Sequence, residues 1–265
     1  MKHAQYIFLL VALLFSACDI RIKTNDDESE RTALEVRRYD RLESRYLTTG
    51  DFSALQQMNI DYPMETRTLI EDVLRLGEVN DPEINSKFLK FYQDTTLQTL
   101  IADAELEFAN MADINESIAK AFARLDKLVA GLPRPTVYAQ IGSLDQSIVI
   151  GDNSIGISLD KYLGKDYAIY KKFYTEQQRQ NMTREYIVPD CLCFYLLAHF
   201  PLQNHDTATQ LEHDLHMGTV MWVVNEVMDK DLFQSKYVDA VAAHMKRNPQ
   251  TDLKSLLGNP SQIKM

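Results

Sequence analysis

The stretch Thr136–Gly164, TVYAQIGSLDQSIVIGDNSIGISLDKYLG, decides the fold class. It is the only long part of the chain that reads as sheet. Three apolar, β-branched-rich runs, Thr136–Ile141, Ser147–Ile150 and Ile155–Leu159, are separated by Gly142-Ser143 and by Gly151-Asp152-Asn153, residue types that tolerate tight turns and positive φ. Three short strands in sequence predict a β-meander. Helical patterns flank it on both sides, so their apolar faces are expected to pack on it.

Upstream, Leu34–Tyr39 alternates apolar and polar residues and predicts one further strand. Helical spacing follows over Asp51–Leu55, over Pro63–Leu76 closed by Gly77, and from Pro82 through Tyr92. Leu97, Leu100, Ile101, Ala104 and Phe108 mark one helix face, and Ile114, Ile118, Ala121, Phe122, Leu125, Leu128 and Val129 mark another. These two helices read as an antiparallel pair. Downstream come short aromatic-bearing helices, an almost continuously apolar helix over Ile187–Phe200, and a long helix over Asn204–Met228 with Asp206 or Thr207 as its cap. The expected fold is α+β, a helix-rich single domain with a small central sheet.

The amino terminus predicts an address. Met1-Lys2-His3 precedes the apolar run Tyr6–Leu14, and Phe15-Ser16-Ala17 leads to Cys18. A basic start, an apolar run too short to span a bilayer, and small residues before a cysteine form a lipoprotein signal peptide. Residues 1–17 are expected to be removed and Cys18 to carry lipid. Polar residues 18–33, acidic at Asp26-Asp27-Glu28, cannot bury enough surface to fold and read as a tether. Residues 34–265 form the predicted globular domain. A periplasm-facing outer-membrane lipoprotein is the expectation; the acidic cluster leaves surface display as the alternative.

The chain carries a net charge of −10, which excludes nucleic acid as a partner, because phosphate binding needs clustered Lys and Arg. Cys191 and Cys193, two apart in a helical run, point away from one another and predict buried thiols.

No catalytic signature or cofactor cradle is found. There is no His-Glu-x-x-His, no Gly-x-Ser-x-Gly elbow and no phosphate-binding glycine loop. His213 and His216 share a helix face, so a metal site using them with His199 is the runner-up, which would make the protein a metal-dependent hydrolase. The preferred candidate is the loop Asp160-Lys161-Tyr162 at the end of the predicted meander, presented to a protein partner.

Ile150-Gly151-Asp152 and the run Ile155–Asp166, with Val36–Arg41 upstream and Tyr186–Asp190 downstream, resemble the gliding-motility lipoprotein B (GldB) family of Bacteroidetes. That resemblance implies an envelope lipoprotein of the gliding apparatus, with other envelope proteins as partners. It also implies a layout similar to zincin metallopeptidases. Tyr195-Leu196-Leu197-Ala198-His199 stands where a zincin has His-Glu-x-x-His, and Met217-Gly218 stands at the third-ligand position. The resemblance therefore implies a pseudo-metallopeptidase, a binding module instead of an enzyme. A surface lipoprotein that binds a host or nutrient ligand is the remaining alternative.

Overall fold

The computed structural model describes residues 34–203 and 205–263. The predicted signal peptide, Cys18 and the tether lie outside the described residues. The described residues begin with β1 (Val36–Arg37), then α1 (Tyr39–Thr49), α2 (Phe52–Asp61) and α3 (Pro63–Arg67), which continues as a π-helical turn over Thr68–Val73. Next are α4 (Ile84–Phe91), α5 (Thr95–Glu107) and α6 (Ala112–Leu128). The strands β2 (Thr136–Gln140), β3 (Ile148–Ile150) and β4 (Ser154–Ser158) follow, then a 3-10 turn over Leu159–Lys161. The remainder is helical: α7 (Tyr170–Phe173), α8 (Glu176–Arg179), α9 (Ile187–His199), α10 (Gln210–Met228), α11 (Lys236–Arg247) and α12 (Leu253–Gly258).

The three central strands exist, but they are not a meander. The sheet order is β1-β2-β4-β3, with β1 and β4 both parallel to β2 and β3 antiparallel to β4. Gly151-Asp152-Asn153 does make a hairpin, with Gly151 N–H donating to Ser154 O at 2.9 Å. The longer connection Ile141–Ser147 instead carries the chain past β4 to the sheet edge, so that Val137 pairs with Ile155 and Gln140 with Ser158. In both long strands every residue after the first is buried. That burial on two faces is expected of parallel strands covered by helices.

Gly156 decides one cover. A Cβ there would lie 2.6 Å from the Tyr138 ring, so the glycine leaves space for that ring between β2 and α1. Tyr138 meets Tyr39 of α1 edge-on, with ring centroids 6.1 Å apart. On α1, Tyr39, Glu43, Tyr46 and Leu47 are buried at i, i+4, i+7 and i+8, one face of a helix. Helix α9 packs on β3 and β4, with α6 and α10 against it. One apolar core runs through all these elements and includes Val137, Ile155, Ile157, Leu192 and Val224. Each large side chain so buried contributes about 1.5–3 kcal/mol.

Helix ends follow their side chains. Asp94 caps α5 by accepting from Thr96 N–H at 2.8 Å. Helix α10 is capped by Thr209, not by Asp206 or Thr207, in a reciprocal box with Glu212, whose carboxylate accepts Thr209 N–H at 2.7 Å. Cys191 and Cys193 are buried free thiols. Among the described residues no helix is long and apolar enough to cross a membrane.

Candidate functional site

Strands β2 and β4 end together at Gln140 and Ser158, and the polar side chains of the core gather just beyond. Ligands of open parallel sheets sit at this carboxyl end. Gln140 donates to Ser158 Oγ at 3.2 Å. Gly142 crosses so close to Ser158 that a Cβ would meet its Oγ at 2.5 Å, and the next two residues, Ser143 (φ 52°) and Leu144 (φ 66°), are left-handed. Consecutive left-handed residues with side chains persist only where their surroundings hold them.

Two buried carboxylates supply that hold. Asp160 accepts Gly142 N–H at 2.7 Å with one oxygen and Leu144 N–H at 2.5 Å with the other. Glu43, reaching from α1, accepts Ile141 N–H at 2.8 Å, and Tyr92 donates its hydroxyl to Ile141 O at 2.5 Å. Both acids are fully buried. Burial pushes the Glu43 carboxyl well above the usual range, the Ile141 amide pulls it back, and the Asp160 charge pushes it further up. Burial likewise raises Asp160, against the two amides it binds. Glu43 Oε1 and Gln140 Oε1 have no hydrogen-bond partner.

An outer ring closes over this pair. Lys161 Nζ donates to Leu144 O at 3.2 Å and to Tyr174 Oη at 2.9 Å, and Tyr174 in turn donates to Leu144 O. Tyr170 donates to Asp160 O and accepts Leu163 N–H. Tyr162 donates to Asp190 Oδ2 at 2.8 Å, on the first turn of α9, where burial lifts the Asp190 carboxyl to about 7.

The sequence candidates therefore fall in two places. Asp160 and Tyr162 are buried, and the half-buried Lys161 bonds Leu144 O through its amine, so the side chains of this trio shape the neighbouring loop. The face they build is Ser143–Ser147, of which Asp145 is exposed. Sequence reasoning did not find Glu43. Its signal was an acid on the apolar stripe of α1.

The three runner-up histidines make local contacts. His199 Nδ1 lies 2.9 Å from Tyr195 O of its own helix, and its ring lies tilted against the Tyr195 ring, with centroids 4.2 Å apart. His216 is buried with Nε2 2.8 Å from Phe200 O, and burial lowers its basicity. His213 packs edge-on against His205, with centroids 4.7 Å apart. Among the described residues no group of three or more His, Cys, Asp or Glu is placed to hold a metal ion. A cavity of about 190 Å³ beside the α9–α10 connection, walled by Gln203, Glu212, Asn259 and Ser261, includes none of the three runner-up histidines. Gly218 lets α11 approach: a Cβ there would meet Tyr237 Cβ at 2.6 Å.

A search of curated proteins returns no match, and neither does a search of solved structures. The family model described as gliding motility protein GldB matches residues 21–237, which takes in the whole sheet, both buried carboxylates and every helix from α1 through α10. By that match, the chain belongs to the gliding motility protein GldB family, a family of gliding-motility lipoproteins.

Proposed function

We propose that this protein is a lipid-anchored, non-catalytic scaffold of the gliding apparatus in the cell envelope, and that it binds a partner protein through the loop Ser143–Ser147. Cys18 carries the anchor, and the domain faces the periplasm from the outer membrane. Family membership supports the setting. The observation that carries the binding role is how the buried acids are used. Asp160 spends both oxygens on Gly142 and Leu144 amides, and Glu43 spends one on Ile141, so the two most buried acids of the sheet end fix a backbone shape. A hydrolase would aim such carboxylates into an open cleft toward a substrate. The zincin-like layout implied by the family resemblance would suit the same role, as a former enzyme kept for its surface.

The loop offers an exposed carboxylate, Asp145, on a preorganised backbone. Preorganisation lowers the ordering cost of binding. The test is Asp145→Lys in the source bacterium. Charge reversal at an interface costs several kcal/mol, whereas an exposed loop residue contributes little to folding. Gliding speed is expected to fall at least tenfold with protein abundance unchanged; full-speed gliding would remove the loop from the account.

A further inference from the structure

We infer that the segment Lys161–Arg184 is a membrane-facing surface that rests on anionic phospholipid headgroups, an inference that depends on the lipid anchor proposed above. In a chain of net charge −10, this segment carries six basic residues against two acidic ones. Its aromatic residues sort by direction. Tyr170 is buried and bonded to Asp160 O, and Tyr167 donates to Asp103 of α5, so tyrosines pin the segment to the domain. Lys165, Lys171 and Lys172 face solvent, and beside them Phe173 is 62% exposed. Lysines flanking an exposed aromatic ring suit a headgroup layer, where the ring enters the interface and the ammonium groups meet phosphate.

The position of the chain entry supports the bilayer as occupant. Val36 N–H, at the start of the described domain, donates to Asn115 Oδ1 at 3.0 Å. Arg184, at the end of the basic segment, binds Asp113 through two bonds of 2.8 and 2.7 Å. Both fasten to the start of α6, so the first described strand and the end of the basic segment lie at one end of that helix. Residues 19–33 separate Cys18 from the first described residue, Leu34. A lipid anchor this close in sequence to the chain entry favours the bilayer as the occupant of the basic segment.

The test uses the full lipidated chain placed on the outside of vesicles of phosphatidylcholine, with or without about a third phosphatidylglycerol. Lysines are labelled by a water-soluble amine-reactive ester and read by peptide mass spectrometry. A lysine near an anionic surface gains about fivefold in binding. Lys165, Lys171 and Lys172 are therefore expected to label at least fivefold more slowly on phosphatidylglycerol vesicles, and this protection should vanish in 0.5 M salt on the scale of the Debye length. Lys127 and Lys230, at the other end of α6 and just after α10, should label equally on both. In a Lys171→Gln, Lys172→Gln variant, whose changes are at the surface, the protection at Lys165 should fall by more than half. Equal labelling on both vesicles, or slowing shared by Lys127 and Lys230, would overturn the inference. Intact mass separates the two ideas: no acyl groups on Cys18 ends the anchor reading and this one with it, whereas acylation without protection ends this one alone.

Discussion

Asp160 accepts the Gly142 amide at 2.7 Å across the ends of two parallel strands, and its second oxygen takes the amide of Leu144. Between those two amides lies Ser143, at φ 52°. One side chain thus holds a backbone segment in a conformation that it would not keep alone.

Asp160→Asn tests the strength of that hold. The amide group offers one acceptor oxygen where the carboxylate offers two, and its NH₂ faces a backbone donor. Hydrogen bonds to charged groups contribute about 1.5–3 kcal/mol, and an unpaired buried donor adds its own cost. A loss of about 2–4 kcal/mol in urea unfolding is expected. A loss below about 0.5 kcal/mol would mean that the loop needs no anchor.

Glu43→Gln should be far milder than Glu43→Ala. Burial already favours the uncharged carboxyl, and Gln keeps an oxygen for Ile141 N–H. Ala leaves that amide unpaired in the core and opens a cavity, which together cost about 2–5 kcal/mol. Equal unfolding midpoints for the two variants would contradict the assigned bond.

Stability should fall as pH rises from about 4 to about 7. The Asp190 carboxyl titrates near 7 when folded, against an ordinary value of 3.8. Between these values the folded state binds the extra proton, so its advantage is complete below the lower value and lost as pH passes the upper one. At 1.36 kcal/mol per unit, reduced for partial solvent access, the change is on the order of 2 kcal/mol. Asp190→Asn should flatten this part of the profile, which chemical denaturation at a series of pH values would show. An unchanged slope in the variant would assign the effect elsewhere.

Gly218→Ala should destabilise the protein although alanine is the better helix former. In an open helix the change would gain up to about 1 kcal/mol. Here the new Cβ meets the Tyr237 Cβ at 2.6 Å and its carbonyl carbon at 3.0 Å, so α10 and α11 must separate. Overpacking of this kind costs about 1–3 kcal/mol, readable as a lower Tm. A higher Tm would show that the two helices move apart freely.

Much of the fold was legible because its signals are local. The apolar runs around Val137, Val149 and Ile157 located the strands, and the spacing of Ile114, Ile118, Phe122 and Leu125 located α6. Strand order was not local. Whether β2 pairs with β3 or β4 depends on the route of Ile141–Ser147, which Asp160 and Glu43 set from outside that segment. Connection length carried a partial signal, since seven residues exceed a tight hairpin and three do not. The site was half legible for the same reason. Asp160, Lys161 and Tyr162 stood out at a strand end, but direction is a property of the packed state, and Asp160 and Tyr162 point inward. Glu43 could be found only by asking why an acid shares a helix face with Tyr39, Tyr46 and Leu47.

The central claim is that Ser143–Ser147 touches a partner. A photo-crosslinking amino acid at Asp145, introduced in gliding cells, tests it most directly, with the same group at Lys127 on the far end of α6 as the control. The account predicts one discrete crosslinked envelope protein from Asp145, absent from Lys127 and lost in the Asp160→Asn background. No adduct at Asp145, or the same adducts at both positions, would contradict it.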